Sequence, residues 1–259
     1  MSVSVAAVSA LILGVLYVRM IKRETPEPIG YLQALLPIAL GVATMYLAVY
    51  LAIVCFGYLV SQGYIDPTKP TVLQGLLTAF VMAGFPEELF KFLAILVSVV
   101  IFRSRIKNVY EYILLGAAVA IGFTLAEEFY YADGANTVTL VTRLLTVAGH
   151  MVFNMIMGEF LGRARYNKLT GRGLPALNCI LAFLVPVAIH TLYDACTSSI
   201  GTLLASSPDS VDLIVVIGLS AYLGMIVLQI VVLTRFKKKA AAFCAMSLLP
   251  EAAADAANP

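Results

Sequence analysis

At 259 residues, 61% of them apolar and only 12% charged, with a mean hydropathy of +0.94, the chain is excluded from ordinary soluble domains. Those carry roughly twice that share of charge. The net charge of +2 says little by itself, and no nucleic-acid partner is expected. Cys55, Cys179, Cys196 and Cys244 form no C-x-x-C pair and lie mostly in apolar runs, so they read as packing residues, not as a disulfide framework or a zinc knuckle.

Seven apolar runs follow one another, each near the roughly 20 residues that a bilayer helix needs. They are Val3–Val18, Tyr31–Val60, Val72–Ile101, Val109–Tyr131, Val138–Leu161, Leu177–Ile200 and Val211–Leu233. The first has no basic residue before it and several after it, so it reads as an anchor and not as a signal peptide. The second is long enough to tilt or to begin before the membrane. The expected architecture is all-α: a polytopic membrane protein of about seven transmembrane helices around a polar intramembrane cavity. Residues 1–239 would form the membrane domain, and 240–259 an Ala-rich cytoplasmic tail.

Charge sets the orientation. Arg19, Lys22 and Arg23 follow the first run; Arg103, Arg105 and Lys107 follow the third. Arg163, Arg165, Lys168 and Arg172 follow the fifth; Arg235, Lys237, Lys238 and Lys239 follow the seventh. The other loops carry Asp66, Asp133, Asp209 and Asp212, with Lys69 and Arg143. The positive-inside rule then puts the N-terminus outside and the C-terminus in the cytoplasm.

Ionisable residues inside the runs carry the chemistry. The third run holds Phe85-Pro86-Glu87-Glu88-Leu89-Phe90-Lys91, where Glu87 and Lys91 are i,i+4 neighbours and Gly84 and Pro86 predict a break or kink. The fourth has Glu127 and Glu128 after Gly122-Phe123. The fifth has His150 with Asn154 one turn on, and the sixth has His190 and Asp194. At 1.5 Å per residue, Glu88, Glu127, His150 and His190 stand roughly 20–25 Å from the cytoplasmic ends of their helices. Four helices of alternating direction thus bring their ionisable groups to one layer, in the outer half of the membrane. Asp194 at i+4 would fix the tautomer of His190 and favour its imidazolium. Glu159, in Gly158-x-x-x-Gly162, reads as part of a helix-packing seam, and Glu111 as interfacial.

A carboxylate can act as general base on water, and an imidazole can share that role or stabilise an oxyanion. No Ser or Cys nucleophile stands beside a base, and no H-E-x-x-H or other zinc spacing occurs. No cofactor is therefore expected; zinc, if required, would fall to His150, His190 and Glu127. Buried acids and histidines also make proton relays, so proton-coupled transport is the rival reading, and a non-catalytic scaffold the bland one.

Glu87-Glu88-x-x-Lys91, Gly122-Phe123-x-x-x-Glu127, His150 and His190-x-x-x-Asp194, in this order on four successive helices, resemble the PrsW family of intramembrane proteases. That family is distantly related to the type II CAAX prenyl endopeptidases. The match extends through Arg143, seven residues before Gly149-His150, to Gly158, and covers roughly Pro86 to Asp194. The resemblance implies a glutamate-dependent hydrolase in a prokaryotic cell membrane, cutting a membrane-anchored substrate such as an anti-sigma factor, with lipid as its other partner. A CAAX-type prenyl-protein endopeptidase is the near alternative. By motif position Glu87 would activate water, helped by Glu127, with Glu88 beside it and Lys91, Phe123 and Asn154 in support. His190 would be the oxyanion donor, with Asp194 orienting and charging it, and His150 a further member of the catalytic set. In the CAAX enzymes a His stands where Glu127 does and an Asn where Asp194 does. Glu128 stands where PrsW-like sequences tend to have Asn.

Overall fold

The computed structural model describes residues 2–66, 71–131, 137–199 and 211–249. Lys69, Asp133 and Asp209, used above for orientation, lie outside them, as does the end of the tail from residue 250. The described residues form helices α1 (Ser2–Ile21), α2 (Tyr31–Ser61), α3 (Val72–Ala79), α4 (Phe85–Ile101), α5 (Val109–Tyr130), α6 (Thr137–Leu145), α7 (Gly149–Thr170), α8 (Pro175–Asp194) and α9 (Val211–Cys244). The only β pairing among them is an isolated bridge between Asn108 and Ser247. Among the described residues five segments are long and apolar enough to cross a membrane: Tyr31–Ser61, Val109–Tyr130, Val141–Thr170, Pro175–Thr197 and Val215–Cys244. The other two expected spans are also helical. Val5–Ile21 is apolar but shorter, and α3 and α4 join into one rod that carries Glu87, Glu88 and Lys91. The chain is an all-α polytopic membrane protein.

Helix α5 is the axis of the bundle. It is apolar on every side and buried along nearly its whole length, as a helix surrounded by others must be. Small residues let its neighbours approach closely, the device by which membrane helices associate. A Cβ at Gly122 would strike the Ile38 carbonyl of α2, and one at Gly116 would strike the Asn154 carbonyl of α7. These two contacts set α2 and α7 in register against α5, one on each side. Gly158, within the expected seam, makes the equivalent close contact with the Tyr112 carbonyl.

Two of the runs are interrupted, the third where Gly84 and Pro86 predict it and the fifth where no break is expected, and both interruptions serve the polar layer. Between α3 and α4 the chain makes a π-helical turn, Phe80–Gly84. Pro86 has no N–H to donate, so the regular ladder cannot pass through it, and α4 restarts with Pro86 in its first turn. The fifth apolar run, expected as one helix, is two: α6 ends at Leu145 and α7 begins at Gly149. The break is stabilised from far along the chain, because the Ala148 N–H donates to the side-chain oxygen of Gln229 on α9 at 3.0 Å. His150 therefore stands in the first turn of α7.

The basic end is tightly tied. Glu159 binds both Arg163 and Arg235, joining α7 to α9. Tyr110 donates to the Met20 carbonyl, and Arg165 to the Tyr112 hydroxyl. Glu111, expected at the interface, is buried and accepts from Gln33. In the α1–α2 loop Glu24 accepts from the Ile29 N–H at 2.7 Å, and burial pushes its carboxyl above the usual range. The boundary expected at Lys239 falls inside α9, which continues to Cys244 with Ala240 and Phe243 buried. Beyond it, Val109 donates to the Met246 carbonyl and Leu248 to that of Lys107, so this part of the expected tail is packed against the start of α5.

Candidate active site

The fully buried Lys91 is the hub of the polar layer. Its ammonium lies 2.6 Å from Glu88 Oε1, 3.3 Å from Glu87 Oε2 and 3.1 Å from His150 Nδ1. The expected i,i+4 pair with Glu87 forms, and Glu88 at i,i+3 joins it because that spacing shares a helix face. The ammonium also sits 4.1 Å from the ring centroid of Phe123, a cation–π contact.

An ammonium only donates, so His150 Nδ1 must accept and its ring proton is on Nε2. That N–H donates to Glu127 Oε2 at 2.9 Å. The same oxygen is 3.2 Å from Arg143, whose guanidinium also holds Glu128 at 3.1 Å and lies over the Tyr131 ring. On the other side, His190 Nδ1–H donates to Glu88 Oε1 at 2.8 Å. His190 Nε2 then faces the open side, 3.6 Å from Asp194 and 3.9 Å from Glu87. The short bond that orients His190 comes from Glu88, with Asp194 flanking the second nitrogen. The two imidazole rings are 5.2 Å apart and Phe123 packs edge-on to His150 at 5.0 Å.

Above this network is a cavity of about 340 Å³, lined among others by Glu87, Glu127, Arg143, His150, His190 and Asp194. Glu87 reaches it with 15% of its side chain exposed, while Glu88 and Lys91 are at 0% beneath. Glu87, Glu88, Glu127, His150, His190 and Asp194 are thus brought into one connected group. Asn154 is not part of it. It is fully buried a turn below His150, and its side-chain amide has no hydrogen-bond partner among the described residues. Arg143 was recognised only as a match and as a loop charge, yet it caps Glu127 and Glu128. Its position two turns before His150, at the edge of an apolar run, was the available signal.

Glu87, Glu88, His150 and His190 each offer a donor atom, and these atoms all lie within 4.8 Å of one another. Glu127 is outside that group, turned to the far nitrogen of His150. The donor types suit zinc. Their arrangement does not, because the Lys91 ammonium already stands at bonding distance from three of the four residues. A divalent ion there would face that charge at close range.

A family model described as "PrsW family intramembrane metalloprotease" matches residues 27–234. Among curated proteins, "Protease PrsW" of Halalkalibacterium halodurans is 34% identical over 125 residues, 46% of this chain and 54% of that protein. "Protease PrsW" of Bacillus subtilis is 32% identical over 117 residues, 45% of this chain and 52% of that protein. The chain spans about half the length of the curated relatives it matches. No solved structure matches. The family match extends over most of the chain and takes in all four helices that supply the polar layer, so the chain belongs to the PrsW family.

Proposed function

We propose that the protein is an intramembrane endopeptidase that hydrolyses a peptide bond of a membrane-anchored protein, with Glu87 as the general base. The observation that carries this reading is the placement of Glu87. Among the carboxylates that line the cavity it is the one held from behind by Lys91, with donor atoms of both histidines within 4.8 Å. A water beside Glu87 gives up its proton to the carboxylate as its oxygen bonds to the scissile carbonyl carbon. The carbonyl oxygen becomes an oxyanion, and His190 Nε2, carrying a proton and fixed by Glu88 through Nδ1, donates to it. The C–N bond then breaks, and the proton on Glu87 passes to the leaving nitrogen. Glu127 acts through His150 and Arg143 as a positioning carboxylate, not as a second base. Directly below His150 the fully buried Met151 and Met155 carry no ionisable group, which favours hydrolysis over proton transport.

Purified protein reconstituted with a library of single-span peptides, read by mass spectrometry, tests this. Discrete cuts within or beside the apolar segment are expected, and unchanged rates after chelation. No cleavage of any peptide would sink the proteolytic reading. Activity lost on chelation and restored by zinc would overturn the metal-free chemistry and assign the ion to Glu87, Glu88, His150 and His190.

By the positive-inside rule we propose that the basic end lies in the cytoplasm and the N-terminus outside, with the cavity in the outer half of the bilayer. Reporter fusions at the N-terminus and after Leu248 are expected on opposite sides. A C-terminal reporter found outside would invert the assignment.

A further inference from the structure

A second, smaller cavity adjoins the first and shares two of its carboxylates, Glu87 and Glu127. It has a volume of about 100 Å³ and is lined by Glu87 and Glu127 at one end and by Met45, Ala48, Ala52 and Phe123 along its walls. Those four wall residues are all buried. At the rim Ile53 is 60% exposed and Tyr130 53%. The cavity therefore runs from the outer, lipid-facing side of α2 inward to the two carboxylates.

We infer that this cavity is a substrate subsite that takes one aliphatic side chain next to the scissile bond, and that α2 sets which side chain is accepted. The inference rests on the proteolytic reading of the site. Three observations favour this occupant. Glu87 lines both cavities, so a chain whose carbonyl lies over Glu87 has an adjacent side chain within reach of the smaller one. The walls are apolar, and no cation lines them to receive an acidic residue. The volume suits a single aliphatic side chain. The two alanines stand on one face of α2 a turn apart, so their size sets the width. A substrate segment arriving from lipid meets this opening first, because its apolar side chains are already the ones that lipid surrounds.

The test uses the reconstituted full chain and single-span peptides varied at each position around the cut. Wild type is expected to favour Leu, Ile, Val or Met at one position flanking the cut. Ala52→Leu narrows the cavity by three carbons and should lower kcat/KM for those peptides by about 10-fold or more, since one methylene misfit already costs about 10–200-fold, while sparing Ala or Gly there. Met45→Ala should extend acceptance to larger residues. An equal loss on all peptides, or no change in preference in either variant, would overturn the inference. A readout without cleavage separates it from the chemistry. Glu87→Gln protein bound to peptides carrying photo-leucine at successive positions should crosslink to α2 between Met45 and Ile53 from one position only. Crosslinks there without any cleavage by wild type would keep the subsite and sink the proteolysis; crosslinks spread evenly, or absent from α2, would sink the subsite itself.

Discussion

Glu87→Gln is expected to lower turnover by ~10²–10⁴-fold, the usual contribution of a general base, and to leave substrate binding in place. The amide keeps the shape of the carboxyl and can still accept from Lys91, but it cannot take a proton from water. The loss should appear in kcat, because the step removed is chemical and the cavity walls are unchanged. Glu88 remains to balance Lys91 at 2.6 Å, so the hub keeps its closest partner and the fold should hold. Turnover, thermal stability and peptide capture by the variant should be measured together. Near-normal cleavage by a folded Glu87→Gln protein would exclude Glu87 as the base. A variant that unfolds would instead make Glu87 part of a structural ion pair.

Lys91→Met is expected to do the opposite, costing stability first. The methionine fills much of the volume but leaves the buried Glu88, Glu87 and the Nδ1 of His150 without their common donor. Removing one partner of a buried ion pair typically costs about 3–5 kcal/mol, because the charge that remains is uncompensated. For a chain of this size that corresponds to a fall in Tm on the order of 10 °C. A second change checks the cause. Glu88→Gln made in the Lys91→Met background should recover part of the loss, since it removes the uncompensated charge, and the cycle should be strongly non-additive. A Tm unchanged by Lys91→Met would mean that the ammonium does not hold the network together.

Much of this arrangement is legible in the sequence, and the reason is helix geometry. Spacing along one helix is local, so Glu87 and Lys91 pair as their four-residue separation predicts. Depth is additive along each span, so His150, His190 and the glutamates converge, although each alone is only a polar residue in an apolar run. What is not legible depends on rotation and on distant partners. Nothing near Glu88 announces that it meets His190, 102 positions on. The break before His150 is invisible in a continuous apolar run, because its cap comes from Gln229, 81 positions away. The tail reads as featureless because Ala-rich segments have weak patterns, yet Phe243 and Leu248 are buried against the bundle.

The cap from Gln229 has a consequence for how the protein comes into being. The ionisable residues of the site lie between Glu87 and Asp194, but the N–H that precedes the His150 turn is satisfied by a side chain of α9, the last of the described helices. Synthesis runs from the N-terminus, so every carboxylate and both histidines enter the membrane before that side chain exists. During this interval the turn carrying His150 has an unmet donor in apolar surroundings, a costly state with more than one conformation open to it. Lys91 and Glu127 can hold the imidazole before then, but the N–H behind its turn gains its partner only when α9 docks. A nascent chain that ends short of α9 thus holds all of these reactive groups before the break behind His150 is capped.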